Sequence, residues 1–317
     1  MELIRGIHNL KSKHYGYAIT IGNFDGFHLG HQALISTLQI ESAYRNLPKM
    51  VMIFEPQPQE FLHKNLSRLV RLSGLREKIK YLSLAKIDAI LCVTFNKYFA
   101  SLTAQDFIIN ILVNKLKIRL ICIGDDFHFG IKRKGDLSLL KEIGKNTGFE
   151  VINIKTFSNK GNRISSTAIR NILLNDKIKE AEILLGHSYS ISGRVIRGNG
   201  LGRILGYPTA NISLKGRKIP LHGVYAVEVY GIKNYVSLIG IANIGNRPTT
   251  ITSFYQLLEV HLIDKCINLY GCYIEVVVHH KIRNEIRFDS IEYLKKQISI
   301  DIKSVRNYFN ILRNKDV

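Results

Sequence analysis

Tyr17-Ala18-Ile19-Thr20-Ile21-Gly22-Asn23-Phe24-Asp25-Gly26-Phe27-His28-Leu29-Gly30-His31 reads as a short buried strand that breaks on glycine and re-forms as a helix with two histidines at its mouth. Gly22 and Gly26 let the backbone turn tightly, and His31 to Ile40 is rich enough in helix formers to start a helix whose free N–H groups face a phosphate. A lone His-x-x-His is more often a surface or core pair. Here the glycines, Asp25 and the strand-to-helix setting turn His28 and His31 toward nucleotide chemistry.

Outward from that stretch, apolar strand-like runs alternate with helical periodicity. Ala18 to Ile21, Met50 to Phe54, Ala89 to Phe95 and Arg119 to Gly124 read as strands, with helices near Ala33 to Tyr44, Leu75 to Leu84 and Ala104 to Leu116. This is the βαβ rhythm of a parallel sheet, an α/β domain. Ligands in such sheets sit beyond the carboxyl ends of the strands. The loops of interest all follow strands: GNFDGFHLGH (Gly22–His31), EPQP (Glu55–Pro58) and GDDFHFG (Gly124–Gly130). ISSTAIR (Ile164–Arg170) opens with a Ser/Thr cluster suited to capping a helix toward Leu174, and it is a further candidate to close the same pocket.

Near Leu185-Gly186-His187 the pattern changes. Short β-branched runs recur between glycines at Ile191 to Ile196, Val224 to Tyr230, Tyr235 to Asn243, Leu257 to Ile263 and Tyr273 to Val278, which predicts an antiparallel barrel or sandwich. Ser290 to about Leu312 reads as a helix closing this second domain. Domains of residues 1–186 and 187–317 follow. The run Arg197-Gly198-Asn199-Gly200-Leu201-Gly202-Arg203 is either a plain turn or an anion-binding loop whose amides approach a phosphate. Thr209 and Asn211, two apart after Pro208, put two hard oxygens on one side of an extended segment, a pattern that suits Mg²⁺ with water and phosphate.

The 317 residues, 46% hydrophobic, suffice for two cores. No apolar run is long enough to cross a bilayer, and Met1 to Leu10 lacks the apolar core of a signal peptide, so a cytoplasmic protein without membrane association is expected. Cys92, Cys122, Cys266 and Cys272 form no Cys-x-x-Cys pair, which argues against a structural zinc or a disulfide framework. The net charge of +20 fits nucleic acid or polyphosphate ligands. The lysines are spread among Ile and Asn without a basic block, which favours small polyphosphate substrates and no nucleic acid.

Both halves together resemble the bifunctional prokaryotic riboflavin kinase/FAD synthetases. The resemblance is carried by the order of TIGNFDGFHLGHQALI (Thr20–Ile35), FEPQP (Phe54–Pro58), LREKI (Leu75–Ile79), IGDDFHFG (Ile123–Gly130), RISSTAIR (Arg163–Arg170), LGYPTANI (Leu205–Ile212), GVYAV (Gly223–Val227), IANIGNRPT (Ile241–Thr249), LEVHL (Leu258–Leu262) and LYG (Leu269–Gly271). It implies a Rossmann-like nucleotidyltransferase domain and a C-terminal six-stranded antiparallel β-barrel with a flanking helix. It also implies that the barrel phosphorylates riboflavin to FMN with ATP, that the first domain adenylylates FMN to FAD, and that Mg²⁺ assists.

By the same resemblance, Glu259 is the kinase base, though as a strand residue alternating with Leu258 and Val260 it also reads as an exposed surface group. Thr209 and Asn211 hold the metal, Gly198, Gly200 and Gly202 cover the nucleotide, and Asn243, Arg247 and Arg283 contact nucleotide or flavin, where structural salt bridges would serve as well. In the first domain His28 and His31 stabilise the transition state, Gly22 and Asn23 hold nucleotide phosphates, and Asp126 lies near the flavin. Arg163, Ser166, Thr167 and Arg170 grip phosphates, with helix capping as the other use of Ser166 or Thr167. Four positions depart from the family pattern: Gln57 replaces a histidine, Asn268 a common aspartate, and Asn199 with Leu201 dilutes the loop over the kinase nucleotide. The rival readings are a single retained activity, another nucleotidyltransferase, or a non-catalytic flavin- or RNA-binding protein. A monomer or weak homo-oligomer is expected.

Overall fold

Ile19 and Ile21 point to one face of their strand and Ala18 to the other, and all three are buried. A strand wetted on neither side belongs inside a parallel sheet with helices on both faces. The computed structural model describes residues 1–62, 70–155, 158–159, 162–250 and 253–314, and it contains that sheet. Its strands are β1 (Glu2–Arg5), β2 (Ala18–Ile21), β3 (Lys49–Phe54), β4 (Ala89–Val93), β5 (Leu120–Gly124) and β6 (Glu150–Ile154), in the order β1-β4-β3-β2-β5-β6. Every pairing in it is parallel. The strand order reverses between β2 and β5, the position where open α/β sheets bind ligands.

One core layer joins Ile19, Ile21, Met50, Met52 and Leu91 to Phe107, Ile108, Ile111 and Leu112. The other joins Ala18, Val51, Ile53 and Ile90 to Ile35 and Leu38 of the helix Leu29–Tyr44 and to Leu82 of the helix Leu75–Leu84. Cys122 is buried in this second layer, and desolvation pushes its thiol up to about 12, so it packs as a small hydrophobe. The expected helix from Ala104 to Leu116 forms as Ala104–Asp106, capped by the Thr103 hydroxyl, followed by wider turns over Phe107–Lys115. Asp136 caps the helix Leu137–Thr147, with Leu139 N–H donating to its carboxylate at 2.9 Å, and Gly148 ends it at φ 83°.

After the short hairpin β7 (Ser158–Asn159) and β8 (Asn162–Arg163) come the helices Ser166–Leu174 and Ile178–Leu185. The barrel follows: β9 (Ser190–Ile196), β10 (Ala210–Ile212), β11 (Gly223–Tyr230), β12 (Leu238–Thr250), β13 (Ser253–Leu262) and β14 (Tyr273–Arg283). It closes antiparallel in the order β10-β13-β12-β11-β14-β9. The helix Ile291–Arg313, capped by Ser290, buries Ile302, Val305 and Phe309 against Val224, Ala226 and Ile241. Each such side chain contributes roughly 1.5–3 kcal/mol of apolar burial, which is what holds the helix on the barrel. The chain divides into two compact units, residues 1–69 with 75–166 and residues 70–74 with 167–317.

Candidate active sites

In the first unit, the sheet order sets the loops after β3, β2 and β5 side by side at the carboxyl edge. The loop after β2 turns through Phe24 (φ 48°), Gly26 (φ 82°) and Phe27 (φ 40°), so the chain reverses within a few residues. His28 is the N-cap of the helix Leu29–Tyr44, and its Nδ1 accepts the His31 N–H at 3.3 Å. With Nδ1 accepting, the His28 ring carries its N–H on Nε2, where it can donate to an anion at the positive helix end. The two rings stack with centroids 3.7 Å apart. Gly30 packs against both the His28 ring and the Ile164 carbonyl, and Ser166 Oγ donates to the Asp25 carbonyl at 2.8 Å. The structure thus brings Gly22, Asn23, His28, His31 and Ser166 to one loop cluster.

His31 Nδ1 is buried without a hydrogen-bond partner among the described residues. Desolvation, then the charges of His28 and Lys78, hold the His31 ring well below the usual histidine range, so it stays neutral at pH 7. Lys78 was absent from the expected site residues, yet it is fully buried at 0% exposure and its charge reaches His31. The signal was available: Lys78 falls on the apolar face set by Leu75, Ile79 and Leu82, where a solvated lysine does not belong. Gln57 is 1% exposed, and its Nε2 donor has no hydrogen-bond partner among the described residues. Arg163 pairs with Asp126, both half exposed. Arg170 Nη1 donates to Thr167 Oγ1 at 3.3 Å, and these two residues belong to the second unit.

In the second unit, cross-strand register decides the site. Asn211 on β10 opposes Glu259 on β13, and Glu259 opposes Asn243 on β12. Asn243 opposes Val224 on β11, which opposes Arg283 on β14. Opposed residues in antiparallel strands share a face, and this row lines a cavity of about 480 Å³ together with Thr209, Tyr207, His261 and Glu285. Glu259 therefore faces the cavity, and the plain surface reading of that residue fails.

The glycine-rich run lies over the same residues. A Cβ on Gly198 would overlap the Asn211 amide, and one on Gly202 would sit 2.5 Å from the Tyr207 carbonyl and 3.1 Å from Thr209 Oγ1. Gly200 holds φ 76°, a conformation that glycine adopts freely. His261 Nδ1 lies 2.9 Å from the Pro208 carbonyl and so donates to it, fixing the segment that presents Thr209 and Asn211. Arg283 spends its guanidinium on Asp301, with Nε 3.0 Å from both carboxylate oxygens and Nη2 2.8 Å from Oδ2. The Arg247 side chain lies outside the described residues. Among the described residues no cluster of three or more His, Cys, Asp or Glu is set to hold a metal ion. Thr209 and Asn211 instead offer neutral oxygens beside one carboxylate. That donor set fits Mg²⁺, which keeps waters and substrate phosphates in its shell.

A helix N-terminus with two stacked imidazoles at a sheet switch point, and a barrel cavity with a carboxylate between two amides, define a two-part nucleotide-dependent transferase. A family model described as FAD synthetase matches residues 10–168, and one described as riboflavin kinase matches residues 185–309. The bifunctional riboflavin kinase/FMN adenylyltransferase of Escherichia coli (strain K12) is 49% identical over 99% of both chains. That of Haemophilus influenzae is 48% identical over 98% of this chain and 100% of its own. A crystal structure titled as a macrolide-efflux protein from Streptococcus pneumoniae is 29% identical, covers 97% of this chain and 99% of its own, and superposes with a TM-score of 0.78. Among the described residues no helix is long and apolar enough to cross a membrane. The chain belongs to the bifunctional riboflavin kinase/FMN adenylyltransferase family.

Proposed function

We propose that this chain makes FAD from riboflavin in two steps, each on its own site: residues 187–317 phosphorylate riboflavin, and residues 1–186 adenylylate the FMN that results. The observation that carries the kinase half is the row Asn211, Glu259, Asn243 facing one cavity beneath the glycine-rich run.

In the first step the terminal ribityl hydroxyl attacks the γ-phosphorus of ATP, the bond from that phosphorus to the β-bridging oxygen breaks, and ADP leaves. Glu259 takes the hydroxyl proton, a role typically worth about 10²- to 10⁴-fold. Thr209 and Asn211 would hold Mg²⁺, which neutralises phosphate charge when bound. Gly198, Gly200 and Gly202 bring backbone close to the nucleotide, Asn243 and Arg247 contact nucleotide or flavin, and Arg283, tied to Asp301, shapes the flavin side of the cavity.

In the second step an FMN phosphate oxygen attacks the α-phosphorus of a second ATP in line and pyrophosphate departs. No protein nucleophile is required. His28 and His31 donate to the charge that develops, Gly22 and Asn23 hold the nucleotide phosphates, and Arg163, Ser166, Thr167 and Arg170 grip phosphates, with Asp126 toward the flavin. Gln57 offers a neutral buried donor to the same phosphates. The chain acts in the cytoplasm as a monomer or weak homo-oligomer, without nucleic acid.

The test is to incubate the purified protein with riboflavin, ATP and Mg²⁺ and to separate the flavins by chromatography over time. FMN followed by FAD supports both steps. FMN alone removes the adenylyltransferase assignment, and no conversion removes both.

A further inference from the structure

Asn243 carries a buried side-chain oxygen with no hydrogen-bond partner among the described residues, in a residue that lines the kinase cavity. Its amide nitrogen donates to Glu285 Oε1 at 3.2 Å. A carboxylate only accepts, so the nitrogen must face Glu285; the flipped amide would set two acceptors against each other. Glu285 is held in turn. Its second oxygen lies 2.9 Å from His222 Nε2, and a Cβ on Gly245 would overlap its carboxylate. The His222 N–H donates to the buried Tyr225 hydroxyl at 3.1 Å, and that hydroxyl lies 2.7 Å from Asp176 Oδ1. The chain of contacts leaves Asn243 Oδ1 as a fixed acceptor that nothing among the described residues satisfies.

A buried acceptor left unsatisfied is costly unless a ligand supplies a hydrogen. Phosphate oxygens in their charged form supply none, and the Mg²⁺ proposed above is given to Thr209 and Asn211 on the other side of Glu259, so the matching atom carries an O–H or N–H. Asn243 directly opposes Glu259, which puts their Cβ atoms roughly 4.5–5.5 Å apart. The group it meets is therefore the neighbour of the hydroxyl that Glu259 deprotonates.

We infer that Asn243 Oδ1 receives a hydrogen bond from a secondary hydroxyl of the acceptor's polyol chain, and that Glu285, backed by His222, is the positioning residue that turns the amide toward it. The inference rests on the kinase reading above, and it narrows Asn243 from a general nucleotide or flavin contact to a reader of the polyol.

The test is steady-state FMN-type product formation from riboflavin and from its 2′-, 3′- and 4′-deoxyribityl analogues, by the wild-type chain, Asn243→Ala and Glu285→Gln. One analogue should lose on the order of tenfold to a hundredfold in kcat/KM with the wild type. That same penalty should vanish in Asn243→Ala and shrink at least threefold in Glu285→Gln, while the other two analogues keep theirs. A purely structural role for Glu285 would lower all four substrates by one factor, and that result overturns the inference. So does a wild type that ranks the three analogues equally, a result that needs no variant to fold. If Asn243→Ala does not fold, Glu285→Gln decides by the same criterion. Failure of the wild type to phosphorylate riboflavin overturns the kinase reading and the inference with it, whereas turnover with uniform penalties overturns the inference alone.

Discussion

Arg283 at the end of β14 clamps Asp301 of the C-terminal helix through three contacts of 2.8 to 3.0 Å, and Asp301 is 2% exposed. Gln297 adds a further hydrogen bond to the same carboxylate at 2.8 Å. Removing one member of a buried pair leaves the other charge uncompensated, at about 3–5 kcal/mol. Asp301→Ala should lower stability by about that amount in urea unfolding monitored through the barrel. A loss under about 1 kcal/mol would show the pair to be incidental.

The two chemistries should separate by mutation. Glu259→Gln should lower FMN formation by roughly 10²- to 10⁴-fold and leave FAD formation from supplied FMN intact. His28→Ala with His31→Ala should do the reverse, each lost donor costing about 2.7–4 kcal/mol of transition-state stabilisation. Flavin chromatography reads both activities, and equal losses in either variant would contradict separate sites.

Gly198→Ala forces a methyl into the Asn211 amide. FMN formation should fall at least about tenfold, with FAD formation from FMN unchanged. Gly148→Ala serves as the stability control: unlike Gly198 it sits at positive φ, with open space around it, so it should cost stability without selecting against the kinase.

Gln57→Leu separates function from folding. It removes a buried donor that lacks a partner among the described residues, a group whose burial costs about 1–3 kcal/mol, so thermal unfolding should hold or rise. FAD formation should nevertheless fall. A variant that loses stability and keeps activity would place Gln57 in the scaffold.

The His31 ring has its pKa lowered by burial, so protons bind the unfolded chain first. Stability should therefore be unaffected by His31 above the ordinary histidine value near 6.5 and should decline as pH falls below it. His31→Gln should flatten that decline in pH-dependent urea midpoints. In the wild type, FAD formation should show no inflection near 6.5 from His31, because the ring is already neutral.

Much of this was legible in the residues. The loops after β2, β3 and β5 were placed by strand alternation alone, because parallel strands are apolar on both faces and glycine marks where they end. The barrel strands were found but their ends were not: Tyr235 to Asn243 proved to be Leu238–Thr250, since polar residues such as Asn246 extend the ladder without any apolar signal. Ala210–Ile212 is too short to show a period, and β1 with Glu2, Ile4 and Arg5 mixes charge with apolar residues at an edge. His222 and Glu285 escaped for another reason. Their roles depend on which residues stand opposite them, and sequence spacing within one element carries no information about that.

Asn211, Glu259 and Asn243 stand abreast only because three strands keep a particular alignment. Side-chain direction alternates along a strand, so sliding β13 by a single residue would turn Glu259 outward and bring Leu258 or Val260 to the cavity. In a closed barrel no strand slides alone, because its neighbours on both sides must follow around the ring. Closure therefore does for this carboxylate what a disulfide or a metal does elsewhere: it forbids the small misalignment that would leave the fold intact and the chemistry absent.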